Sequence, residues 1–214
     1  MSTEKRPLRA DAERNRQAII CAAGSVLAQE GRDVTLEHIA DVAGVGVGTI
    51  YRRFSSLDEL LGVVLEEKMR RYAERTEQFA GQAESEPWEA FREYVMFILE
   101  LQATDAAFND VLLSARRGSE LFRDELSRAF RASVRLVEHA RSAGAIRADF
   151  HHSDLLMLQH AARGLLRGTQ KAAPLAWKRF GEYMLQAFRE PGDEPLTAPS
   201  KIWARTLAAG RGGR

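Results

Sequence analysis

The 214-residue chain has one cysteine, no long hydrophobic run and no secretory signal, and each absence excludes a class of protein. A single cysteine, Cys21, cannot form an internal disulfide, and it makes a thiolate-rich metal site implausible. No apolar run approaches the ~20 residues that a membrane-spanning helix needs. The polar, charged start differs from a secretory signal. We therefore expect a cytoplasmic protein without a membrane partner.

Patterns of catalytic residues are also missing. The chain has no G-x-S-x-G, P-loop or dinucleotide-binding glycine pattern, and the glycines at 44–48 follow no predicted strand. The only dense polar cluster, residues 151–154 (His-His-Ser-Asp), lacks the i, i+4 histidine pair of a helical zinc site. Helix capping and solvation explain this cluster. We expect neither an enzyme nor a bound cofactor or metal.

Charge is nearly balanced, at a formal net +1, so its amount does not identify a nucleic-acid binder. Its distribution is more informative, because the basic residues near the N-terminus are Lys5, Arg6, Arg9, Arg14 and Arg16. Residues 1–10 are predicted to form an arm, which is either a solvated disordered end or a contact to phosphate or the minor groove. A basic tail, 191–214, is predicted to be disordered, with an auxiliary DNA contact as the alternative.

The segment from Thr35 to Phe54 has the pattern of two short helices around a glycine turn. Thr35 is placed as an N-cap, and Val34 and Ile39 have the spacing of a hydrophobic staple. Gly44 follows the first helix where a left-handed residue is needed. A second helix runs from about Val47 to Phe54. This pattern predicts a helix-turn-helix unit, whose second helix presents its first turn to the DNA major groove.

The flanking sequence predicts longer helices. The segment from Asp11 to Glu30 has an apolar stripe, with Gly31 as its stop. Its single cysteine, Cys21, is expected to be a small buried core residue, with a redox sensor as the alternative. The segment Ser56-x-x-Glu59 is a capping box that opens a helix to about Phe79.

Residues 18–64 closely resemble the N-terminal DNA-binding domain of the TetR family of bacterial transcriptional regulators. The similarity is carried by Ile19-Ile20-x-Ala22-Ala23, Gly31, Thr35-x-x-x-Ile39-Ala40, Ala43-Gly44-Val45, Gly48-Thr49-Ile50-Tyr51-x-x-Phe54 and Asp58-Glu59-Leu60-Leu61. Two positions depart from the family pattern. Leu57 stands where many members have a phosphate-contacting lysine, and Gly46 stands where a serine often caps the second helix.

The rest of the chain is predicted to be helical, since no segment alternates with period two. Helices are expected from Pro87, over Asp105–Leu113, from the Ser119 cap to Gly144, from His151 or Ser153, and around Trp177–Phe188. The fold class is therefore all-α, with the nine-helix TetR-like plan that the resemblance implies. The predicted domains are a helix-turn-helix domain (1–55) and a helical effector-binding and dimerisation domain (56–190).

The predicted DNA-binding residues lie on and around the second helix of the unit. Val47 and Thr49 are expected to contact base edges, and Gly48 to allow close backbone approach. Tyr51, Thr35 and Arg53 are expected to bind phosphate or sugar. The full predicted set is Thr35, Val47, Gly48, Thr49, Tyr51, Arg52, Arg53 and Arg9.

The last two helices are predicted to form a homodimer interface, as the family's four-helix bundle implies, because their small residues allow close helix approach. The predicted interface residues are Leu158, Ala161, Leu165, Gly168, Trp177, Phe180 and Met184. A purely internal core would explain the same residues. A single recognition helix covers too few base pairs, whereas a two-fold dimer reads half-sites about 34–36 Å apart.

An effector pocket follows from the resemblance and not from periodicity. Its predicted lining is Met69, Tyr72, Trp88, Phe91, Tyr94, Ile98, Phe108, Leu112, Phe122, Leu126 and Phe130. The alternative for each residue is ordinary core. Few polar anchors are available (Tyr94, Gln102, Asn109, Gln159 and His160), which favours an uncharged or weakly charged hydrophobic or aromatic effector.

Two functions from different classes remain. The first is a ligand-responsive DNA-binding regulator, a repressor released from a palindromic operator by a small hydrophobic effector. The second is an all-helical binding or scaffold protein that has lost DNA binding. A lost function should leave the outer face of the second helix acidic or bulky. That face is instead small at its tip and basic at its end, Arg52-Arg53, which favours the first function.

Overall fold

A computed structural model describes residues 5–30, 34–105, 108–109, 112, 119–169, 172–189 and 196–198, with backbone alone for 5–10 and 29. Over these residues the fold is all-helical, with no strand. Its helices are α1 (Lys5–Glu30), α2 (Leu36–Val42), α3 (Val47–Tyr51), α4 (Leu57–Gln82), α5 (Pro87–Thr104), α6 (Glu120–Ser142), α7 (Asp154–Thr169) and α8 (Ala176–Arg189). None of the described helices is long and apolar enough to cross a membrane.

Helices α1 to α3 and the first turns of α4 enclose a small apolar core, called here the N-terminal core. Its buried residues run from Ile19 to Val64. Ile19, Ile39, Ile50 and Leu60 bring one fully buried side chain from each of the four helices. The predicted stripe of α1 is therefore confirmed, although the helix begins at Lys5 and not at Asp11. The predicted stop at Gly31 lies outside the described residues.

Cys21 is exposed, so the expectation of a buried core cysteine is wrong. The apolar stripe of α1 passes through Ile19, Ile20 and Ala23, and Cys21 lies off this stripe on the solvent side of the helix. Its sulfur instead accepts a weak hydrogen bond from the Gln17 side chain at 3.8 Å.

The predicted caps of the helix-turn-helix unit are present. The Thr35 hydroxyl accepts from the His38 backbone N–H at 3.2 Å, which satisfies a free donor of the first turn of α2. Gly44 has φ of +65°, the left-handed conformation that ends α2 and turns the chain. Gly46 precedes α3 without a side-chain cap, as its missing side chain requires.

Helix α4 joins the two halves of the molecule. At its start, Ser56 accepts from the Glu59 backbone N–H, but the Glu59 carboxylate accepts from the Ser55 N–H and not from that of Ser56. The predicted capping box is therefore displaced by one residue. With 26 residues, α4 spans roughly 39 Å. It contributes Val64 to the N-terminal core and Met69 to a second, larger core.

This C-terminal core lies between α4, α5, α6, α7 and α8 and is rich in aromatic residues. Phe91, Phe150 and Phe188 pack edge to face, with ring centroids 4.9–6.3 Å apart. Pro87 occupies the first turn of α5 and Ser119 caps α6, as predicted. Gly181 lets α8 approach α5 closely, since a Cβ there would lie 2.7 Å from Leu99.

The buried face of α6 does not follow the size of its apolar side chains. Phe122 and Val137 are buried, but Leu126, Phe130 and Val134 are only half-buried. Leu136 is also buried, and the other four buried positions of α6 are small, namely Ala129, Ala132, Ser133 and Ala140. Small side chains permit the close packing of α6 on α4, and the larger ones lie beside that contact. Of the predicted Asp105–Leu113 helix, four residues are described: Asp105 is not helical, and Phe108, Asn109 and Leu112 are helical.

Candidate nucleic-acid interface and adjoining cleft

The inner side of α3 packs in the N-terminal core, and its outer side is exposed to solvent. Ile50 is fully buried and Phe54 nearly so, and both pack in the N-terminal core. Val47 and Tyr51 are 45% and 49% exposed, and a Cβ added to Gly48 beside them would meet no atom within 4 Å. The outer face is therefore small and partly apolar, a shape that allows close approach to base edges.

The two hydroxyl groups that were predicted to bind phosphate converge on one carboxylate. The Tyr51 hydroxyl donates to Oε1 of Glu37 at 2.5 Å. The hydrogen bonds from Tyr51, the Glu37 backbone N–H and Thr35 lower the pKa of the Glu37 carboxyl. The same contact with Glu37 raises the pKa of Tyr51. Glu37 therefore places a carboxylate beside the two groups that are expected to bind a DNA phosphate, and no local sequence pattern predicts this contact.

The basic residues at the end of α3 also have partners. Arg52 donates to the Thr49 hydroxyl at 3.2 Å, and Arg53 donates to the Ala12 carbonyl of α1 at 3.1 Å. Arg53 thus links α3 to α1 in addition to adding positive charge beside the exposed face. Arg9 lies in α1, but its side chain is outside the described part.

The predicted effector residues lie mostly inside the closed C-terminal core. Met69, Phe91, Tyr94, Ile98 and Phe122 are buried there, and Trp88, Leu112 and Leu126 pack against it. Phe130 is half-buried and contacts the His152 ring.

An open cleft of about 300 Å³ lies among the described residues. Of the predicted lining residues, only Tyr72 and Phe108 border it. The other lining residues are Lys68, Arg71, Arg75, Phe97, Leu101 and Asp105. The spacing of Lys68, Arg71 and Arg75, one turn apart on α4, was the sequence signal for this rim.

Lys68, beside the cleft, connects the N-terminal core with the C-terminal core. The Lys68 ammonium group donates to the Gly24 carbonyl of α1 at 3.2 Å and to the Asp105 carboxylate. The other carboxylate oxygen of Asp105 accepts from the Phe108 backbone N–H at 3.0 Å. Both Lys68 and Asp105 are largely shielded from solvent. A movement of Phe108 is thereby connected through two side chains to the first helix of the N-terminal core.

The C-terminal core contains polar groups. The Tyr72 and Tyr94 hydroxyls lie 3.3 Å apart, and burial raises the pKa of both phenols, that of Tyr94 strongly. Oγ of Ser133 lies 2.8 Å from Nε2 of His152, whose pKa is lowered to about 4 by burial and by the neighbouring His151. Among the described residues, the buried Gln102 amide has no hydrogen-bond partner.

The predicted dimer residues fall into two groups. Leu158 is buried in the core of its own chain, and it is not presented to a partner. Trp177, Phe180 and Met184 are half-buried against the same core. Ala161 and Gly168 are exposed and Leu165 is partly exposed on α7. Three large apolar side chains outside the predicted set are more than half exposed on or beside α7 and α8, namely Met157, Leu175 and Tyr183.

Comparison with known proteins gives a consistent match. The family model for bacterial regulatory proteins of the tetR family matches residues 19–64. A helix-turn-helix-type transcriptional regulator from Staphylococcus aureus is 36% identical over 72 residues, which are 32% of this chain and 37% of the length of that protein. This chain therefore matches little more than a third of its curated relative.

Solved structures extend the similarity beyond the N-terminal domain. A TetR transcription regulatory protein from Mycobacterium vanbaalenii is 27% identical with a TM-score of 0.63, and the match covers 86% of this chain and 100% of that one. A TetR transcriptional regulator from Streptomyces coelicolor is also 27% identical, with a TM-score of 0.62, and the match covers 83% and 99%.

Proposed function

Because the chain belongs to the TetR family of bacterial regulatory proteins, we propose that it is a homodimeric, DNA-binding transcriptional regulator of the cytoplasm. In this proposal it represses transcription from a palindromic operator and is released by a small effector. It acts by binding and not by catalysis.

The observation that carries the proposal is the outer face of α3. Val47 and Tyr51 are exposed although one is apolar and the other aromatic, while Ile50 between them is fully buried. A scaffold protein would have no reason to keep apolar and aromatic side chains on this face in water. Base edges offer such groups a partner, since thymine methyl groups contact apolar side chains in the major groove.

A second surface supports the homodimer. Eight large hydrophobic residues of the described chain are strongly exposed, and six of them fall into two groups. Val42, Val47 and Tyr51 lie on the proposed DNA face, and Met157, Leu175 and Tyr183 lie on or beside the last two helices. An exposed apolar surface of this kind marks an interaction site. Pairing of two copies there would give the two-fold arrangement that reads two half-sites.

Helix α4 supplies the physical connection for regulation. It packs in the N-terminal core at one end and borders the cleft at Lys68 and Tyr72. A ligand that tilts α4 changes the distance between the two recognition helices of a dimer, while the spacing of the grooves stays fixed. The ligand binds more tightly to the conformation that does not bind DNA, and this difference in affinity supplies the coupling free energy, typically about 1–3 kcal/mol.

The function is tested by DNA-binding measurements on Tyr51 and Val47 variants. Tyr51→Ala should weaken binding to all sequences to a similar extent, because it removes a contact to the backbone, whereas Val47→Gln should change sequence preference. Fluorescence anisotropy with DNA selected by the wild-type protein measures both effects. Leu121→Ala, at an exposed position on α6, is the matched control. Unchanged affinity in Tyr51→Ala would contradict the assignment of this face.

A further inference from the structure

The cleft beside α4 has an aromatic floor. Tyr72 and Phe97 are stacked with ring centroids 5.8 Å apart, and Phe108 meets Tyr72 edge to face at 6.4 Å. Leu101 completes the apolar wall. At about 300 Å³, the cleft is at the small end of the range of ligand sites, so it suits one or two fused rings and not an extended chain.

The rim of the cleft is basic. Its described residues include three cations, Lys68, Arg71 and Arg75, and one carboxylate, Asp105. Two of the three cations are already paired, since Lys68 binds Asp105 and Arg71 binds Glu67.

Arg75 differs from the other two cations. Its guanidinium lies 4.3 Å from the centre of the Phe79 ring and donates to the Gln78 side chain. Within the described part of the chain, no carboxylate lies within ion-pair distance of it. An aromatic cleft beside an uncompensated arginine is complementary to a ligand that combines an aromatic body with one negative charge.

We propose that this cleft binds a small aromatic carboxylate, with its rings over Tyr72, Phe97 and Phe108 and its carboxylate at Arg75. The ligand class departs from the uncharged effector that the sequence favoured, because Arg75, Arg71 and Lys68 line the cleft. The regulatory consequence of binding rests on the function proposed above, but occupation of the cleft does not.

The route from the cleft to the DNA face runs through Lys68. A ligand that displaces Phe108 also moves Asp105, because the carboxylate of Asp105 accepts from the Phe108 backbone N–H. Lys68 then loses its ion pair with Asp105, which also holds the Lys68 ammonium group in place to donate to the Gly24 carbonyl of α1.

Occupation is tested by calorimetry with two probes of equal shape, 2-naphthoate and 2-naphthamide. The wild-type protein should bind the carboxylate about tenfold more tightly than the amide, because only the carboxylate gains a charged hydrogen bond. Arg75→Gln should remove this preference, and Arg70→Gln, which makes the same change on α4 outside the cleft, should retain it. No binding of naphthoate, equal binding of the two probes, or an unchanged preference in Arg75→Gln would overturn the proposal.

The consequence for DNA is measured separately, by anisotropy with DNA that the wild-type protein selects. Saturating naphthoate should lower DNA affinity at least ~fivefold in the wild type. In Lys68→Met, naphthoate should still bind but leave DNA affinity unchanged. Binding of naphthoate without any effect on wild-type DNA affinity would contradict the regulatory role and leave the site intact. Failure of the unliganded protein to bind DNA would instead contradict the proposed function.

Discussion

The two cores of this molecule differ in what they bury. The buried residues of the N-terminal core are aliphatic apart from Phe54, whereas the C-terminal core contains six buried phenylalanines and both buried tyrosines. All the buried polar residues in the described part of the chain, from Thr76 to Gln159, lie in the C-terminal half. A core without polar groups has no internal titration and few alternative hydrogen-bond arrangements. The N-terminal half is therefore suited to hold α3 in one orientation.

The C-terminal half has the opposite character. Tyr72, Tyr94, Ser133 and His152 bring hydroxyl and imidazole groups from four different segments into an apolar interior. The Gln102 amide is buried there and finds no hydrogen-bond partner in the described part of the chain. A core of this kind tolerates rearrangement more readily, since its polar groups can exchange partners. The contrast supports the proposal that the first half recognises DNA and the second half responds to a ligand.

The largest effect expected from this contrast is a pH dependence that belongs to the C-terminal core. Burial and His151 lower the pKa of His152 from 6.5 to about 4. Between these values the unfolded chain binds a proton that the folded protein does not. Stability should therefore fall as the pH drops through 6.5 and level off below 4, with a total loss of about 3 kcal/mol.

Urea unfolding between about pH 7.5 and about pH 4.5 measures this dependence. His152→Gln should flatten it, because glutamine keeps a donor for Ser133 but does not titrate in this range. His160→Gln, at an exposed histidine on α7, is the matched control and should retain the slope. Equal slopes in the wild type and His152→Gln would show that His152 is not the group responsible.

A smaller effect is expected at the contact between α5 and α8. A Cβ on Gly181 would lie 2.7 Å from Leu99 and 3.0 Å from the sulfur of Met96, so Gly181→Ala should destabilise the protein by about 1–3 kcal/mol. Gly62→Ala, within α4 and with no atom near the new methyl group, should be neutral or stabilising by up to about 1 kcal/mol. Thermal unfolding compares them, and similar midpoints for the two variants would contradict the close approach.

The smallest effect is expected in the N-terminal half, at the cap of α2. Thr35→Ala removes the acceptor for the His38 backbone N–H and should cost about 1 kcal/mol. Thr35→Ser keeps the hydroxyl and should cost much less. Hydrogen exchange of the α2 amides reports the loss locally. Faster exchange in the C-terminal core as well would show that the two halves do not behave as separate cores.

The same contrast explains what could be predicted from the sequence. In the N-terminal half, Thr35, Gly44 and Ser56 each act through neighbours within a few residues, so spacing alone located the caps and the turn. The contact between Glu37 and Tyr51 joins two helices 14 residues apart, and no local pattern contains it. The burial of Cys21 was predicted wrongly, because the sequence of α1 alone does not show which side of the helix the other helices cover.

In the C-terminal half, periodicity located the helices but not their buried faces. On α6, the small residues Ala129 and Ala132 face the core, while the larger Leu126 and Phe130 are only partly covered. Hydrophobicity alone favours the larger residues, but close packing against α4 selects the smaller ones. The cleft was missed for a similar reason, since Lys68, Arg71 and Arg75 resemble solvated charges until Phe97 and Phe108 are placed beside them.

In the proposed homodimer, two copies of the α3 face bind DNA together. Selection of bound duplexes from a random library tests this joint binding most directly. The wild-type protein should enrich a two-fold symmetric sequence whose half-sites lie about 34–36 Å apart or a multiple of that distance. Val47→Glu places a negative charge on an exposed position of α3, which should leave the fold intact and abolish enrichment. No enrichment by the wild type, or the same enriched sequence with Val47→Glu, would contradict the account.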